Sequence, residues 1–125
     1  MLTNSPAHAT LPTTDLARAR AFYEGKLGFK PGLEMADGVM YDTGGTRFLV
    51  YPSGGKASGE HTQMGFVVDD IAAEVAELKQ RGIEFLEYDL PGLKTDNSIA
   101  IVGDSKGAWF KDTEGNVLAV VQLST

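Results

Sequence analysis

The chain contains no cysteine, one tryptophan and two histidines. The lack of cysteine excludes disulfide bridges, thiolate metal sites and cysteine nucleophiles, and it suits a reducing cytoplasm, which is the location we expect. No apolar run approaches the roughly 20 residues that a membrane-spanning helix needs, so a membrane protein is excluded. Basic residues number 11 against 17 acidic ones, and the resulting net charge of −6 argues against a nucleic-acid partner.

The length of 125 residues corresponds to a single domain of ordinary size. Hydrophobic residues make up 42% of the chain and charged residues 22%. This proportion supplies enough apolar surface to offset the entropy lost on ordering the chain, which excludes a disordered protein. The composition is therefore that of a small, acidic globular domain.

Two segments of the sequence share one pattern, in which a strand is followed by an acidic residue and an amphipathic helix. The first segment runs through the strand His8–Thr13 to Asp15, and the second runs from Gln63 through the strand Met64–Val68 to Asp70. A constant offset of 55 residues superposes the two segments. The chain is therefore predicted to be an internal repeat.

Each of the two helices is predicted from apolar spacing and from its end residues. Asp15 and Asp70 are expected to cap the first turns, because a carboxylate accepts hydrogen bonds from the exposed amides and suits the positive helix end. Gly28 and Gly82 can adopt the left-handed conformation that ends a helix. Apolar stripes at steps of three and four residues are formed by Leu16, Ala19, Tyr23 and Leu27 in the first helix and by Ile71, Val75 and Leu78 in the second.

Short apolar runs that follow each helix predict further strands, with three runs in the first repeat and four in the second. These runs are Gly32–Met35, Val39–Tyr41 and Arg47–Tyr51, then Glu84–Tyr88, Ser98–Val102, Ala108–Lys111 and Val117–Gln122. The order is βαβββ twice, so the predicted fold class is α+β with curved mixed sheets. Module one covers about residues 6–52, a Gly- and Ser-rich linker covers 53–62, and module two covers 63–123. The longer loop Leu90–Asn97 is expected at the rim of a pocket.

Three segments, Leu11–Phe29, Gly65–Leu78 and Ala108–Val121, carry a resemblance to a known family. Together with the tandem βαβββ order, they make the chain similar to the vicinal oxygen chelate superfamily. This family includes glyoxalase I, fosfomycin-resistance transferases, extradiol dioxygenases and bleomycin-resistance proteins. The resemblance implies that each module curls its sheet into a half-open cup and that two cups pair to enclose a ligand cavity.

Alternation along the strands assigns the side chains expected to face this cavity. Arg47 either reaches solvent or pairs with an anionic ligand. Trp109 and Phe110 lie on opposite faces of one strand, and we expect Trp109 to face the cavity, where its ring would suit a planar or cationic ligand. The complete set of predicted ligand-binding residues is His8, Thr10, Arg47, Leu49, Tyr51, Gln63, Trp109 and Ala119.

Metal-dependent members of the family place one ligand on each of four strands. The matching positions here are His8, Leu49, Gln63 and Ala119, of which the leucine and the alanine have no donor atom. One imidazole and one amide oxygen neither compensate the charge of a divalent ion nor close its coordination sphere. We therefore expect no metal, no other cofactor and no catalytic residue of the metal-dependent kind.

The resemblance favours a metal-free binding protein, similar to the bleomycin-resistance branch, that sequesters a drug or metabolite in an apolar cavity. The expected partner is an unidentified small molecule, aromatic or cationic. In that branch the binding clefts lie at the interface of a symmetric dimer, so a homodimer with paired or exchanged modules is expected.

Three other functions stay open at this point. A lyase or isomerase similar to glyoxalase I would hold a divalent metal through His8 and Gln63 with unconventional further ligands. A metal-free enzyme would use His8 or Tyr51 as an acid or base. A regulatory or scaffold domain has the least support, because no exposed apolar stripe marks a protein interface.

Overall fold

The fold comprises two compact units that each combine one β-sheet with one helix. The structure is a computed structural model that describes residues 1–124. Unit one spans Met1–Ala57 and unit two spans Ser58–Thr125. Within the described residues, no helix has both the length and the apolar character needed to cross a membrane.

Unit one is a four-stranded mixed sheet covered by one helix. Its strands are β1 (Ala9–Thr13), β2 (Pro31–Met35), β3 (Gly38–Thr43) and β4 (Thr46–Pro52). Their order is β1-β4-β3-β2, with β1 parallel to β4 and the other pairs antiparallel. Helix α1 spans Leu16–Arg20 and continues directly as a π-helical segment, Ala21–Lys26. The predicted first helix is therefore present, but its second half has π-helical rather than α-helical hydrogen bonds.

An aromatic cluster forms the core of unit one between the helix and the sheet. The rings of Tyr23, Tyr41 and Phe48 have centroids 5.3 to 5.8 Å apart, and each residue is at most 1% exposed. Phe29 packs edge-on against Phe48 at 5.3 Å. Aromatic pairs of this kind add about 0.5–1.5 kcal/mol each beyond the burial of their surface. The cluster therefore fixes which sheet face the helix covers.

Unit two is a six-stranded mixed sheet with one helix, α2 (Ile71–Gln80). Its strands are β5 (Thr62–Val67), β6 (Asp89–Leu90), β7 (Leu93–Asp96), β8 (Ile99–Val102), β9 (Ser105–Lys111) and β10 (Val117–Gln122). Their order is β5-β10-β9-β8-β7-β6, with β5 parallel to β10 and the other pairs antiparallel.

The two units repeat one topology. The order β1-β4-β3-β2 in unit one corresponds to β5-β10-β9-β8 in unit two, and unit two adds the short hairpin β6–β7. Asp15 Oδ1 accepts a 3.0 Å hydrogen bond from the Arg18 amide, and Asp70 Oδ1 accepts one of 3.2 Å from the Ala73 amide. The α+β fold class, the βαβββ repeat and the two acidic helix caps predicted from the sequence are thus confirmed.

Two of the predicted elements in unit two are wrong. The segment Glu84–Tyr88 is irregular, apart from an isolated bridge between Phe85 and Phe110, and is not a strand. The predicted loop Leu90–Asn97 instead contains β7 and the end of β6. The reason lies in the turns. Gly92 has a φ of 80°, and Asn97 and Ser98 also adopt positive φ angles, so the chain reverses twice within a few residues.

The remaining predicted strands are present with ends that differ by a few residues. The first strand begins at Ala9 rather than His8, and β5 spans Thr62–Val67 rather than the predicted Met64–Val68. The strand predicted over Ala108–Lys111 begins at Ser105, because ladder hydrogen bonds continue into residues that look like a turn in sequence. Such shifts are ordinary for element boundaries.

Candidate functional site

In unit one, the helix and the candidate binding residues lie on opposite faces of the sheet. Tyr23 of the helical segment packs on Phe48, which places Phe48 on the covered face. Alternation along β4 then directs Arg47, Leu49 and Tyr51 to the opposite face, here called the helix-free face. The sheet of unit two likewise has one face that its helix does not cover, and this is called the helix-free face of unit two.

His8 and Thr10 flank the start of this face in unit one. Thr10 is exposed and pairs directly with Leu49 across the parallel β1–β4 ladder. His8 lies just before β1, is exposed, and its Nδ1 donates a 3.2 Å hydrogen bond to the carbonyl of Ala9. This hydrogen bond to the neighbouring carbonyl helps to fix the orientation of the imidazole.

Arg47 already has a carboxylate beside it on the same face. Its Nε donates to Asp42 Oδ1 at 2.8 Å, and the two residues are opposite each other in the antiparallel β3–β4 ladder. Both side chains are more than half exposed, so the pair is solvated. An anionic ligand at Arg47 would have to compete with Asp42, which weakens the case for anion binding at this position.

In unit two, one side-chain hydrogen bond identifies the helix-free face. Gln122 Oε1 accepts a 2.9 Å hydrogen bond from the Ile71 amide at the start of α2. Alternation along β10 places Val120 and Leu118 on the helix side with Gln122, and Ala119 on the opposite face. Ala119 is 3% exposed.

Ala119 lies between Gly65 on β5 and Trp109 on β9. This register puts the indole of Trp109 on the helix-free face, opposite the buried ring of Phe110. A methyl group on Gly107 would come within 3.0 Å of the Trp109 ring, which shows that the indole lies directly over that glycine backbone. Small residues thus form the floor of this face beside one large aromatic ring.

Tyr88 lies against Trp109, and the sequence did not predict this contact. Its ring meets Trp109 edge-to-face, with centroids 5.6 Å apart and an interplanar angle of 84°. Both rings are partly exposed. The only sequence signal for this contact is the aromatic residue at the end of Glu84–Tyr88. The sequence predicts a strand there, and a strand prediction does not identify Trp109 as the neighbour of Tyr88.

Gln63 contributes a polar atom without a partner. It is the unpaired residue at a shift in the β5–β10 register, between Thr62, which pairs with Val117, and Met64, which pairs with Leu118. Its Oε1 is buried and has no hydrogen-bond partner in residues 1–124. A buried acceptor in this state costs free energy until a donor reaches it. The oxygen is therefore suited to receive an N–H or O–H group.

The four positions that the family resemblance marks as metal ligands supply two donor side chains in this chain, His8 and Gln63. Leu49 is opposite Thr10, and Ala119 is opposite Gly65, so neither unit offers a second strong donor beside His8 or Gln63. Across residues 1–124, no three His, Asp or Glu side chains are grouped as a metal site requires. One imidazole and one amide oxygen are fewer donors than the three or four protein ligands that a divalent transition metal usually has.

A shallow groove of about 760 Å³ lies along the β6–β8 meander of unit two. Most of its lining comes from the segment predicted to be a pocket-rim loop. The lining residues are Leu90, Gly92, Leu93, Lys94, Thr95, Asp96, Ile99 and Ile101.

The most perturbed ionisable groups lie elsewhere, in unit one. Tyr41 Oη donates to Glu24 Oε2, and Arg20 forms ion pairs with both Glu24 and Glu34. The hydrogen bond from Arg20 lowers the pKa of Glu24, while burial raises the pKa of Tyr41. These contacts join the helical segment to the sheet and therefore have a structural role.

Comparison with known proteins agrees with this architecture. The model of the Glyoxalase/Bleomycin resistance protein/Dioxygenase superfamily matches residues 5–120. The chain therefore belongs to this superfamily. No curated protein sequence gives a significant match.

Solved structures of the same family share the fold at low sequence identity. A glyoxalase/bleomycin resistance protein/dioxygenase from Alicyclobacillus acidocaldarius is 23% identical, with a TM-score of 0.69 and coverage of 98% of this chain and 93% of the other. The glyoxalase family protein from Enterococcus faecalis is 21% identical, with a TM-score of 0.71 and coverage of 97% and 99%. Lactoylglutathione lyase from Agrobacterium tumefaciens is 23% identical, with a TM-score of 0.64 and coverage of 95% and 93%. At these identities the likeness concerns the fold alone.

Proposed function

We propose that this chain is a metal-free binding protein for a small organic molecule, which it holds on the helix-free face of unit two. The observation that carries the proposal is that unit two contains both the Trp109–Tyr88 ring pair and the unpartnered Gln63 Oε1. Leu49 and Ala119 support the metal-free part, because neither side chain can coordinate an ion.

The same residues suggest the class of ligand. Contact with Trp109 would increase the affinity for a planar aromatic molecule. A positive charge on that molecule would increase the affinity further, through the face of the ring and through the net charge of −6. Gln63 Oε1 favours a ligand with an N–H group, since an acceptor already desolvated gains a full hydrogen bond on binding. We also propose that the chain functions as a homodimer, which sedimentation equilibrium would test.

Binding can be tested with two related dyes, proflavine and acridine orange. Both are planar and cationic, but proflavine carries two primary amines where acridine orange carries dimethylamino groups. We expect saturable binding of proflavine, and a roughly tenfold loss of affinity in Gln63→Leu, equivalent to one hydrogen bond. Acridine orange should show a much smaller effect of Gln63→Leu. If neither dye nor any other planar cation binds saturably, the proposal is wrong.

The metal-free part has its own test. Untagged protein would be incubated with Zn²⁺, Ni²⁺, Mn²⁺ and Fe²⁺, desalted, and measured by elemental analysis. We expect far less than one equivalent of any metal. A metal content near one equivalent that is lost in His8→Ala would overturn the proposal and favour a metal-dependent lyase or isomerase.

A further inference from the structure

Glu87 gathers three hydrogen bonds from one neighbouring hairpin. Its Oε2 accepts from Ser98 Oγ at 2.6 Å, and its Oε1 accepts from the Ser98 amide at 3.1 Å and from Thr95 Oγ1 at 2.7 Å. Three donors on one exposed carboxylate form a convergent arrangement that a mobile surface glutamate does not have.

The hairpin that Glu87 holds has an unusual turn. Asn97 and Ser98, between β7 and β8, have φ angles of 51° and 77°. Two successive positive φ angles make a turn of the I′ kind, in which glycine is usual at the second position. Ser98 is 1% exposed. Its positive φ angle is unfavourable for a residue with a side chain, and its two hydrogen bonds to Glu87 offset this conformational cost.

The same contacts reach the backbone of Tyr88. The Tyr88 amide donates to Thr95 Oγ1 at 2.8 Å, and the Thr95 amide donates to the Tyr88 carbonyl at 2.9 Å. On the other side, the Leu86 amide donates to the Trp109 carbonyl at 2.7 Å. Residues 86–88 are thus fixed between β9 and β7 although they form no regular strand.

We propose that Glu87 is a positioning residue, which orients the ring of Tyr88 against Trp109 by anchoring Thr95 and the Asn97–Ser98 turn. The proposal rests on the proposed function in one respect, namely that the Tyr88–Trp109 pair contacts the ligand. Hydrogen bonds from Ser98 and Thr95 lower the pKa of Glu87, so its carboxylate is ionised and accepts all three bonds at neutral pH.

Glu87→Ala tests the proposal in the protein without ligand. Trp109 is the single tryptophan, so tryptophan fluorescence and the tryptophan bands of the near-ultraviolet circular dichroism spectrum report on its ring. We expect loss of the tryptophan dichroism bands and faster quenching by acrylamide, with far-ultraviolet dichroism unchanged. Glu84→Ala is the matched control, because Glu84 is an exposed carboxylate three residues away, and it should leave all these signals unchanged.

A double-mutant comparison separates positioning from general loosening. Tyr88→Leu should reproduce the tryptophan signals of Glu87→Ala, and the combined variant should show no further change. If Glu87→Ala still alters the Trp109 signals in the Tyr88→Leu background, the effect does not pass through Tyr88 and the proposal is overturned. Unchanged Trp109 signals in Glu87→Ala itself would also overturn it.

Ligand binding gives a second readout. Glu87→Ala should weaken proflavine binding by about threefold to tenfold, the range expected for loss of one aromatic contact, while Glu84→Ala should not. Failure of the wild-type protein to bind proflavine would contradict the proposed function but leave the spectroscopic test of Glu87 intact. A Glu87→Ala variant with altered tryptophan signals and wild-type affinity would contradict its role in ligand binding.

Discussion

Tyr41 Oη donates a 2.8 Å hydrogen bond to Glu24 Oε2, the same oxygen that accepts from Arg20 Nε at 2.7 Å. Arg20 Nη2 is also 2.7 Å from Glu34 Oε1 on β2. A chain of charge-assisted hydrogen bonds therefore connects the helical segment of unit one with two strands of its sheet. The phenol ring of Tyr41 packs in the aromatic core of unit one, against Phe48.

Tyr41→Phe should lower the free energy of unfolding by about 1–2 kcal/mol. The substitution keeps the ring contacts with Tyr23 and Phe48. The lower stability therefore comes from the lost hydroxyl group, which leaves the Glu24 carboxylate with one hydrogen-bond donor fewer. Urea unfolding at neutral pH measures this change. Tyr51→Phe is the control, because the Tyr51 hydroxyl forms no hydrogen bond within residues 1–124, and a similar loss in that variant would contradict the explanation.

The stabilisation by Glu24 should depend on pH in a predictable direction. The hydrogen bond from Arg20 lowers its pKa below the ordinary value of 4.5, against the opposing effect of burial. Because the pKa is lower in the folded state, ionised Glu24 stabilises the fold above pH 4.5, and this contribution is lost as the pH falls through the folded-state pKa. The stability difference between the wild type and Glu24→Gln should therefore be constant near neutrality and shrink in acid. Parallel pH profiles for the two proteins would contradict this prediction.

The repeated helix caps allow a matched pair of substitutions. Asp15→Ala and Asp70→Ala should each cost about 1 kcal/mol, because each removes the acceptor for one first-turn amide. Asp70→Asn should be close to the wild type in urea unfolding, since asparagine caps helices as well as aspartate does. Equal losses in Asp70→Asn and Asp70→Ala would show that charge, rather than the cap hydrogen bond, is responsible.

Local features explain what the sequence could predict. Acidic caps, apolar stripes and strand alternation depend on residues a few positions apart, so the helix caps Asp15 and Asp70 followed from the sequence, as did the placement of Trp109 and Phe110 on opposite faces of one strand. The neighbour of Trp109 did not, because Tyr88 lies in an irregular segment that is held beside β9 by long-range contacts such as the hydrogen bond from the Leu86 amide to the Trp109 carbonyl. A serine in the sequence does not indicate a positive φ angle. Ser98 adopts one because its hydrogen bonds to Glu87 stabilise that conformation.

The turn between β9 and β10, which lies in a segment that carries the family resemblance, is closed by one buried carboxylate. Asp112 is 6% exposed, and its Oδ1 accepts from the amides of Glu114 and Asn116 at 2.8 and 2.9 Å. Its Oδ2 accepts from Asn116 Nδ2 at 2.7 Å. The side chain thus closes the turn that joins β9 and β10.

Asp112→Ala should therefore lower the free energy of unfolding by about 3 kcal/mol, since it leaves buried donors without their acceptor. Asp112→Asn should also be destabilising, because its amide group would face the amide of Asn116 or the backbone donors, and donors repel one another. Thr113→Ala, at an exposed position in the same turn, should change stability by much less. Proflavine affinity of any folded fraction of Asp112→Asn should equal that of the wild type. A selective loss of binding without a loss of stability would instead place this turn in the binding site.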